Sequence, residues 1–346
     1  MTKVRLDNVI IIRFVLVFLL VFYHSFAIYG GSWQAIAGYP EIPAYSWLDW
    51  LSYASMLEMY VFISGYVLGF QVRTKGYVKL STKSIVGAKF KRLMIPSIVF
   101  SLVYLLMFED FHQSLLTNIY NIIIGVGHMW FLPMLYLCFI CVWFIEKIKI
   151  KPKVALVLVL LLSLISINGL PFRISLTMYY LFFFYCGYYI QKNDLSFERF
   201  YFGKYLIACS VIFVILFVTL TLVRQNLDYI FADQKILVQI VKFIIGKGCQ
   251  ILYSSVGIVT LMLFAGCCLN NRHRPLPKYV HLVGSLSFGV YLIQQFILQI
   301  IYYHTPYPIY WGCFWTPWIS FVITLVVSLI ISKLMIMNRA GRYLIG

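Results

Sequence analysis

Long apolar stretches alternate with short polar segments along the whole chain. Each stretch has 16 to 24 residues, close to the roughly 20 residues that an α-helix needs to cross the hydrocarbon core of a bilayer. The pattern therefore predicts an all-α integral membrane protein, a bundle of about ten transmembrane helices. The predicted spans lie near residues 8–29, 48–71, 93–108, 128–146, 153–169, 174–191, 204–223, 249–269, 284–303 and 317–337.

Lysine and arginine follow alternate connections, and this alternation orients the spans. One set of connections holds 22 of the 28 basic residues, whereas segments 30–47, 109–127 and 304–316 contain neither Lys nor Arg. By the positive-inside rule, both termini are predicted to be cytoplasmic and the number of spans to be even. The basic residues on that side are Lys3, Arg5, Arg73, Lys75, Lys79, Lys83, Lys89, Lys91, Arg92, Lys147, Lys149, Lys151, Lys153, Lys192, Arg199, Lys204, Arg272, Arg274, Lys278, Lys333, Arg339 and Arg342.

Composition agrees with this class. The chain of 346 residues is 62% hydrophobic and 11% charged, which excludes a soluble globular protein. Its net charge of +17 could indicate a nucleic-acid partner, but the basic residues follow alternate loops rather than one folded face. We therefore predict membrane lipids as partners and no nucleic acid.

Segment 227–247 is the one sizeable polar element on the predicted outer side. Lys235, Gln239 and Lys242 follow helical spacing, which predicts an amphipathic helix. Such a helix could contact an acceptor molecule, or it could be a structural helix at the membrane interface.

Arg13 and His24 share one face of the first predicted span. Eleven residues are about three helical turns and place the two side chains about 16 Å apart along the axis. Ionisable groups inside a bilayer are costly unless they face protein, water or a ligand. The pair therefore predicts a functional site, with His24 in the outer half. The alternative is that Arg13 extends to the interface and that His24 is a structural core residue.

Glu58 is predicted to lie near the middle of the second span. A carboxylate at that depth needs a partner, and Arg13 or His24 is the natural candidate. The pairing could serve catalysis, or it could be a purely structural ion pair.

Polar residues also mark both ends of later spans. His128 opens the fourth span at its outer end, and Lys89, Lys91 and Arg92 enter the third span at its inner end. Such cations can bind anionic lipid or a phosphorylated cofactor, or they can serve only to orient the chain. No spacing such as HxxxH brings two metal ligands onto one helix face, so no metal is predicted.

Together these elements resemble the acyltransferase-3 family of integral membrane acyltransferases, whose motifs occur in the same order. The resemblance covers about residues 5–337. The matching elements are Arg13 with His24, Glu58–Tyr66, Lys91–Pro96, His128–Leu132 and Ser287–Ile293.

Members of this family transfer acyl groups, often acetyl from acetyl-CoA, to carbohydrates of the bacterial envelope. The resemblance implies a single transmembrane acyltransferase domain over residues 1–346, in the bacterial inner membrane, with a glycan or lipid-linked saccharide as acceptor. His24 would be the base or would briefly carry the acyl group, and Glu58 would hold His24 or Arg13. Arg13, Lys89, Lys91 and Arg92 would bind acetyl-CoA, and the acceptor would contact His128, Trp130 and Tyr291.

Two positions depart from the family pattern. The last motif usually ends in His, and this chain has Gln294 there, followed by Gln295. The acidic position is Glu58 rather than the commoner Asp. A succinyl-CoA-dependent transferase is an alternative that the residues do not separate from an acetyltransferase. A non-enzymatic transporter or flippase of lipid-linked sugar is a second alternative, since intramembrane charges suit it as well.

Overall fold

The computed structural model describes residues 6–76, 80–108, 114–167, 169–195, 198–230, 236–270 and 275–345. The protein is 87% helical, and those ranges contain no β-strand, so the predicted all-α class is confirmed. The helices are α1 (Asp7–Gly30), α2 (Pro43–Tyr53), α3 (Met56–Lys75), α4 (Ile95–Phe108), α5 (Leu115–Ile124), α6 (Phe131–Lys147), α7 (Pro152–Leu164), α8 (Ile174–Lys192), α9 (Gly203–Gln225), α10 (Leu227–Ile230), α11 (Ile236–Asn270), α12 (Lys278–Tyr303), α13 (Tyr307–Met337) and α14 (Arg339–Ile345).

Within the described ranges, eight segments are long and apolar enough to cross a membrane. They correspond to eight of the predicted spans, and the chain is a multi-pass membrane protein. The other two predicted spans are also helices, but α7 has only 13 residues, and α8, with 19 residues, is less apolar because it is rich in tyrosine. The number of spans and the side of the termini stay predictions.

Two predicted segments differ in detail from the structure. The second predicted span is two helices, because the chain turns at residues 54–55 between α2 and α3. In segment 227–247, residues 231–235 lie outside the described ranges, and residues 236–247 continue without a break into the long helix α11. Whether this segment contacts an acceptor stays a prediction.

The chain divides into two compact units, one of residues 1–56 and 265–346 and one of residues 57–264. The family-based expectation of one domain over residues 1–346 is a separate question and stays a prediction. In the first unit α1 packs against α2 and α12, and α12 packs against α13.

Two apolar clusters show how α1 and α12 run in the first unit. Val17 and Val21 of α1 meet Val290 of α12, and Ile28 meets Leu298 further along. Higher numbers in one helix meet higher numbers in the other, so the two helices are parallel. Helix α13 contributes a fully buried polar stripe at every fourth residue, which one helix face requires. Its members are Thr316, Ser320, Thr324, Ser328 and Ser332.

In the second unit, α3 and α8 approach closely through glycines. A Cβ atom at Gly65 would overlap the carbonyl oxygen of Phe184, and one at Gly187 would overlap that of Phe62. Small residues allow such backbone contact between membrane helices. Helix α8 also packs against α6 and α7.

Candidate functional site

His24 lies in α1 of the first unit, with 8% of its surface exposed. Its Nδ1 atom is 3.0 Å from the carbonyl oxygen of Leu20, one turn earlier in the same helix. A carbonyl oxygen can only accept a hydrogen bond, so this contact requires the proton on Nδ1. The neutral imidazole then has Nε2 as its basic nitrogen, which is the state that a general base needs.

Aromatic rings surround the imidazole on the side of the following loop. The His24 ring centroid is 4.7 Å from that of Tyr23 and 5.9 Å from that of Trp33. The Tyr23 hydroxyl donates to the Ser32 hydroxyl at 3.0 Å, which ties the start of this loop back to α1. The imidazole is therefore held by both its own helix and its aromatic neighbours.

Arg13 lies on the same uninterrupted helix as His24, as the spacing predicted, and it is half-buried. The helical rise of about 1.5 Å per residue separates the two residues by about 16 Å along the axis. That distance excludes direct contact between the guanidinium and the imidazole, because the two side chains together cannot bridge three helical turns along one face. Any effect of Arg13 on His24 is therefore indirect.

Gln294 of α12 lies close to the level of His24. It follows Val290 by one turn and precedes Leu298 by one turn, so it lies between the two apolar clusters that pair α12 with α1. Its side chain is 0% exposed, and within the described ranges neither amide atom has a hydrogen-bond partner. A buried amide without partners is destabilising, so Gln294 is a candidate for a role other than packing.

Tyr291 precedes Gln294 on α12 and is also buried in the first unit. Its ring stacks on Phe288 with centroids 6.3 Å apart. The predicted role of Tyr291 in acceptor binding stays a prediction.

Glu58 lies in the second unit, in the first turn of α3 and 1% exposed. A negative charge is favoured at a helix N-terminus. The Tyr179 hydroxyl donates to Glu58 Oε1 at 3.0 Å, and Gln250 and Ser254 of α11 are also within hydrogen-bonding reach of the carboxyl group. The Lys247 ammonium lies 4.9 Å from the centre of the Tyr179 ring.

These neighbours of Glu58 were missed in the sequence. Lys247, Gln250 and Ser254 lie about one turn apart on one face of α11, but nothing in the sequence connects that face to α3. A polar stripe on an apolar helix was the available signal, and it indicates burial without naming the partner. The predicted pairing of Glu58 with Arg13 or His24 stays a prediction.

His128 is buried in the second unit, in a short 3₁₀ turn, Gly127–Trp130, that precedes α6. Arg173 holds the preceding turn, because its guanidinium donates to the carbonyl oxygens of Ile124 at 3.0 Å and Gly125 at 2.8 Å. Burial lowers the pKa of Arg173, which lies just before α8. The predicted acceptor residue Trp130 is half-buried, with its ring centroid 6.2 Å from that of Tyr180.

The three cations at the start of the third predicted span have different surroundings. Lys89 is half-buried, with its ammonium 4.1 Å from the centre of the Phe139 ring. Lys91 and Arg92 are exposed in the π-helical turn Phe90–Met94, which follows a second π-helical turn, Lys83–Ala88. π-Helical turns are rare and frequently occur at functional sites. The two exposed cations are the better placed to bind an anion.

The first unit thus contains His24, Arg13 and Tyr291, and the second contains Glu58, His128, Trp130 and the three cations. Within the described ranges, no three His, Cys, Asp or Glu residues are grouped so that they could hold a metal ion. The expectation of a metal-free site stays a prediction.

Fold and side chains define an integral membrane protein of apolar helices with ionisable groups buried among them. The model of the acyltransferase-3 family, described as an acyltransferase domain, matches residues 6–337. The chain belongs to this family, as the motifs predicted, and it is a membrane acyltransferase. No curated protein and no solved structure matches the chain.

Proposed function

We propose that the protein transfers an acetyl group from acetyl-CoA to a hydroxyl group of an envelope glycan, in the inner membrane of a bacterium. The observation that carries the proposal is the buried His24, whose contact with Leu20 makes Nε2 the basic nitrogen. Membership of the acyltransferase family supports the reaction type.

The imidazole supports two routes of transfer. In the direct route, Nε2 takes the proton of the sugar hydroxyl while that oxygen attacks the thioester carbonyl. The C–S bond breaks, an ester forms, and the CoA thiolate recovers the proton. In the relay route, Nε2 attacks the thioester carbonyl, the C–S bond breaks, and CoA leaves as a thiolate. The hydroxyl oxygen then displaces the imidazole from the acyl carbon, and the CoA thiolate takes the hydroxyl proton.

The donor contacts follow from the surroundings of the cations. CoA carries phosphates, and Lys91 and Arg92 are exposed for charge-assisted hydrogen bonds with them. Lys89 is engaged with Phe139 and supports the turn. Arg13 is more deeply placed, about three helical turns from the imidazole, and would hold the donor chain so that its thioester reaches His24.

The proposal assigns three residues to the acceptor. His128, Trp130 and Tyr291 would bind the glycan. The carboxylate of Glu58 would balance the charge of the polar side chains that surround it in the second unit. The Arg173 bonds that hold the His128 turn support a positioned rather than a mobile histidine.

The test compares His24→Asn with the wild-type protein in lipid nanodiscs. Asparagine can still donate to the Leu20 carbonyl but cannot act as a base, so we expect a loss of about 10²–10⁴-fold in turnover. Released CoA is measured by mass spectrometry with acetyl-CoA and with succinyl-CoA, each with and without glycan.

His304→Ala is the matched control, because His304 is an exposed histidine in the same unit. A folded His24→Asn protein with wild-type turnover would show that His24 is structural. Release of CoA only from succinyl-CoA would refute the acetyl donor. Quenching of a radiolabelled reaction before glycan is added separates the routes, since only the relay leaves label on the protein.

A further inference from the structure

A cavity of about 480 Å³ lies in the first unit, where the end of α1, the loop that follows it and α2 meet. This volume falls within the range of about 300–1,000 Å³ that is typical of ligand sites. Aromatic rings dominate its walls. They belong to Tyr29, Trp33, Tyr39, Trp47 and Trp50.

Hydrogen bonds to the polar edges of these rings fix the walls. Trp50 Nε1 donates to the carbonyl oxygen of Gly30 at 3.2 Å, which fastens α2 to the end of α1. The Tyr39 hydroxyl donates to the carbonyl oxygen of Pro308 at 2.6 Å, and the Tyr29 hydroxyl donates to that of Cys313. The polar edges of Trp50, Tyr39 and Tyr29 are thus bound to backbone carbonyl oxygens. Preformed aromatic walls of this kind suit the C–H faces of sugar rings.

The charge around the cavity restricts the kind of sugar. Segments 30–47 and 304–316 contain no Lys or Arg. Glu41 lines the cavity and is exposed, and Ser46 adds a hydroxyl. A carboxylate without a neighbouring cation repels anions and attracts hydroxyl donors and ammonium groups.

Trp33 connects this cavity to the candidate base. Its ring lines the cavity and also lies 5.9 Å from the His24 imidazole, centroid to centroid. Only the Trp33 ring therefore separates the His24 imidazole from a ligand that contacts Trp33 in the cavity.

We infer that this aromatic cavity binds one sugar unit of the saccharide acceptor and that it selects a neutral or amine-bearing sugar over an acidic one. The inference rests on the proposed function only in calling the saccharide the acceptor. Binding of a saccharide in this cavity does not depend on acyl transfer. Trp47 and Trp33 provide stacking faces, and Glu41 accepts hydrogen bonds from hydroxyl or ammonium groups.

The test is calorimetric binding to the full-length protein in nanodiscs, without any acyl donor. Three probes differ in charge: the tetramer of N-acetylglucosamine is neutral, that of glucosamine is cationic, and that of galacturonate is anionic. We expect the first two to bind at least tenfold more tightly than the third. Binding of the galacturonate tetramer as tight as that of the others, or no binding of any probe, would overturn the inference.

Two variants locate the binding. Trp47→Ala should weaken binding of the neutral tetramer by at least fivefold, because it removes a stacking face. Glu41→Lys should leave the neutral probe bound, strengthen the anionic probe by about two- to fivefold and weaken the cationic probe by a similar factor, the range of an exposed charge pair. Trp315→Ala is the matched control, since Trp315 is 66% exposed in the same unit and does not line the cavity.

The outcomes separate this inference from the proposed function. Tetramer binding that Trp47→Ala weakens, in a protein that transfers no acyl group, would support the cavity and refute the transfer reaction. Binding that neither variant alters would mean that saccharides are held elsewhere. Displacement of the neutral tetramer by an alkyl chain such as decane would instead identify the cavity as a lipid site.

Discussion

Replacement of Gln294 with methionine should make the protein more stable and less active. The Gln294 side chain is fully buried, and neither amide atom has a hydrogen-bond partner among the residues that the structure describes. Burial of an unpaired amide costs about 1–3 kcal/mol. Methionine removes that cost, and a volume-conserving exchange adds less than about 1.5 kcal/mol of repacking. We expect a net stabilisation of about 1 kcal/mol, or about 1–3 °C in the melting temperature.

Stability can be measured by heating the protein with a thiol-reactive fluorogenic dye. None of the eight cysteines forms a disulfide bond in the described ranges, and Cys138 and Cys267 are buried, so unfolding exposes new thiols. Leu298→Met is the matched control, because Leu298 is fully buried one turn further along α12 and carries no polar group. The control should gain nothing.

Turnover provides the second reading of the same variant. If the Gln294 amide serves the reaction near His24, Gln294→Met should lose at least tenfold in turnover while its melting temperature rises. A fall in melting temperature would mean that the amide has partners that stabilise it. A rise with wild-type turnover would mean that the amide has no role in transfer.

The remaining predictions concern the donor site and the packing of the second unit. The double variant Lys91→Ala, Arg92→Ala should raise the KM for acetyl-CoA more than it lowers kcat, with a smaller effect at high salt; an unchanged KM would show that these cations only orient the chain. Lys89→Ala should instead lower the melting temperature, because it removes a cation–π contact of about 0.5–2 kcal/mol. An unchanged melting temperature with a raised KM for acetyl-CoA would place Lys89 in the donor site. Gly65→Ala should destabilise the protein by about 1–3 kcal/mol, since its Cβ atom overlaps the backbone of α8. Gly87→Ala, which meets open space, should not, and equal melting temperatures for the two glycine variants would contradict the close approach of α3 and α8.

The apolar pattern was sufficient to predict most of the fold. A run of about 20 apolar residues has few alternatives to a membrane helix, because every backbone polar group must be paired within lipid. Two predicted spans fall outside the eight long apolar segments of the described ranges, because α7 is short and because tyrosines replace aliphatic residues in α8. The break between α2 and α3 was also missed, since residues 54–55 carry no Gly or Pro signal.

The candidate site was predictable only in part, because periodicity locates a residue on a helix but not the helix that faces it. Arg13 and His24 were placed together correctly since they share α1. The contacts of Glu58 with Tyr179, Gln250 and Ser254 join residues more than 100 positions apart and have no local signature. Likewise, Trp33 belongs to a loop whose composition reveals neither its ring contact with His24 nor the cavity.

Three basic residues depart from the orientation pattern, and their partners were likewise not predictable from the sequence. Arg173 donates to two backbone carbonyls beside the His128 turn, Arg224 donates to the Tyr253 hydroxyl at 3.0 Å, and Lys247 lies over the Tyr179 ring. A cation that only orients the chain in the membrane needs water and a cytoplasmic position. These three cations instead have specific partners within the second unit. Because the positive-inside rule assigns them no role, their positions must be explained by those partners. Exceptions to a charge pattern are therefore better guides to buried polar groups in such a chain than the pattern itself.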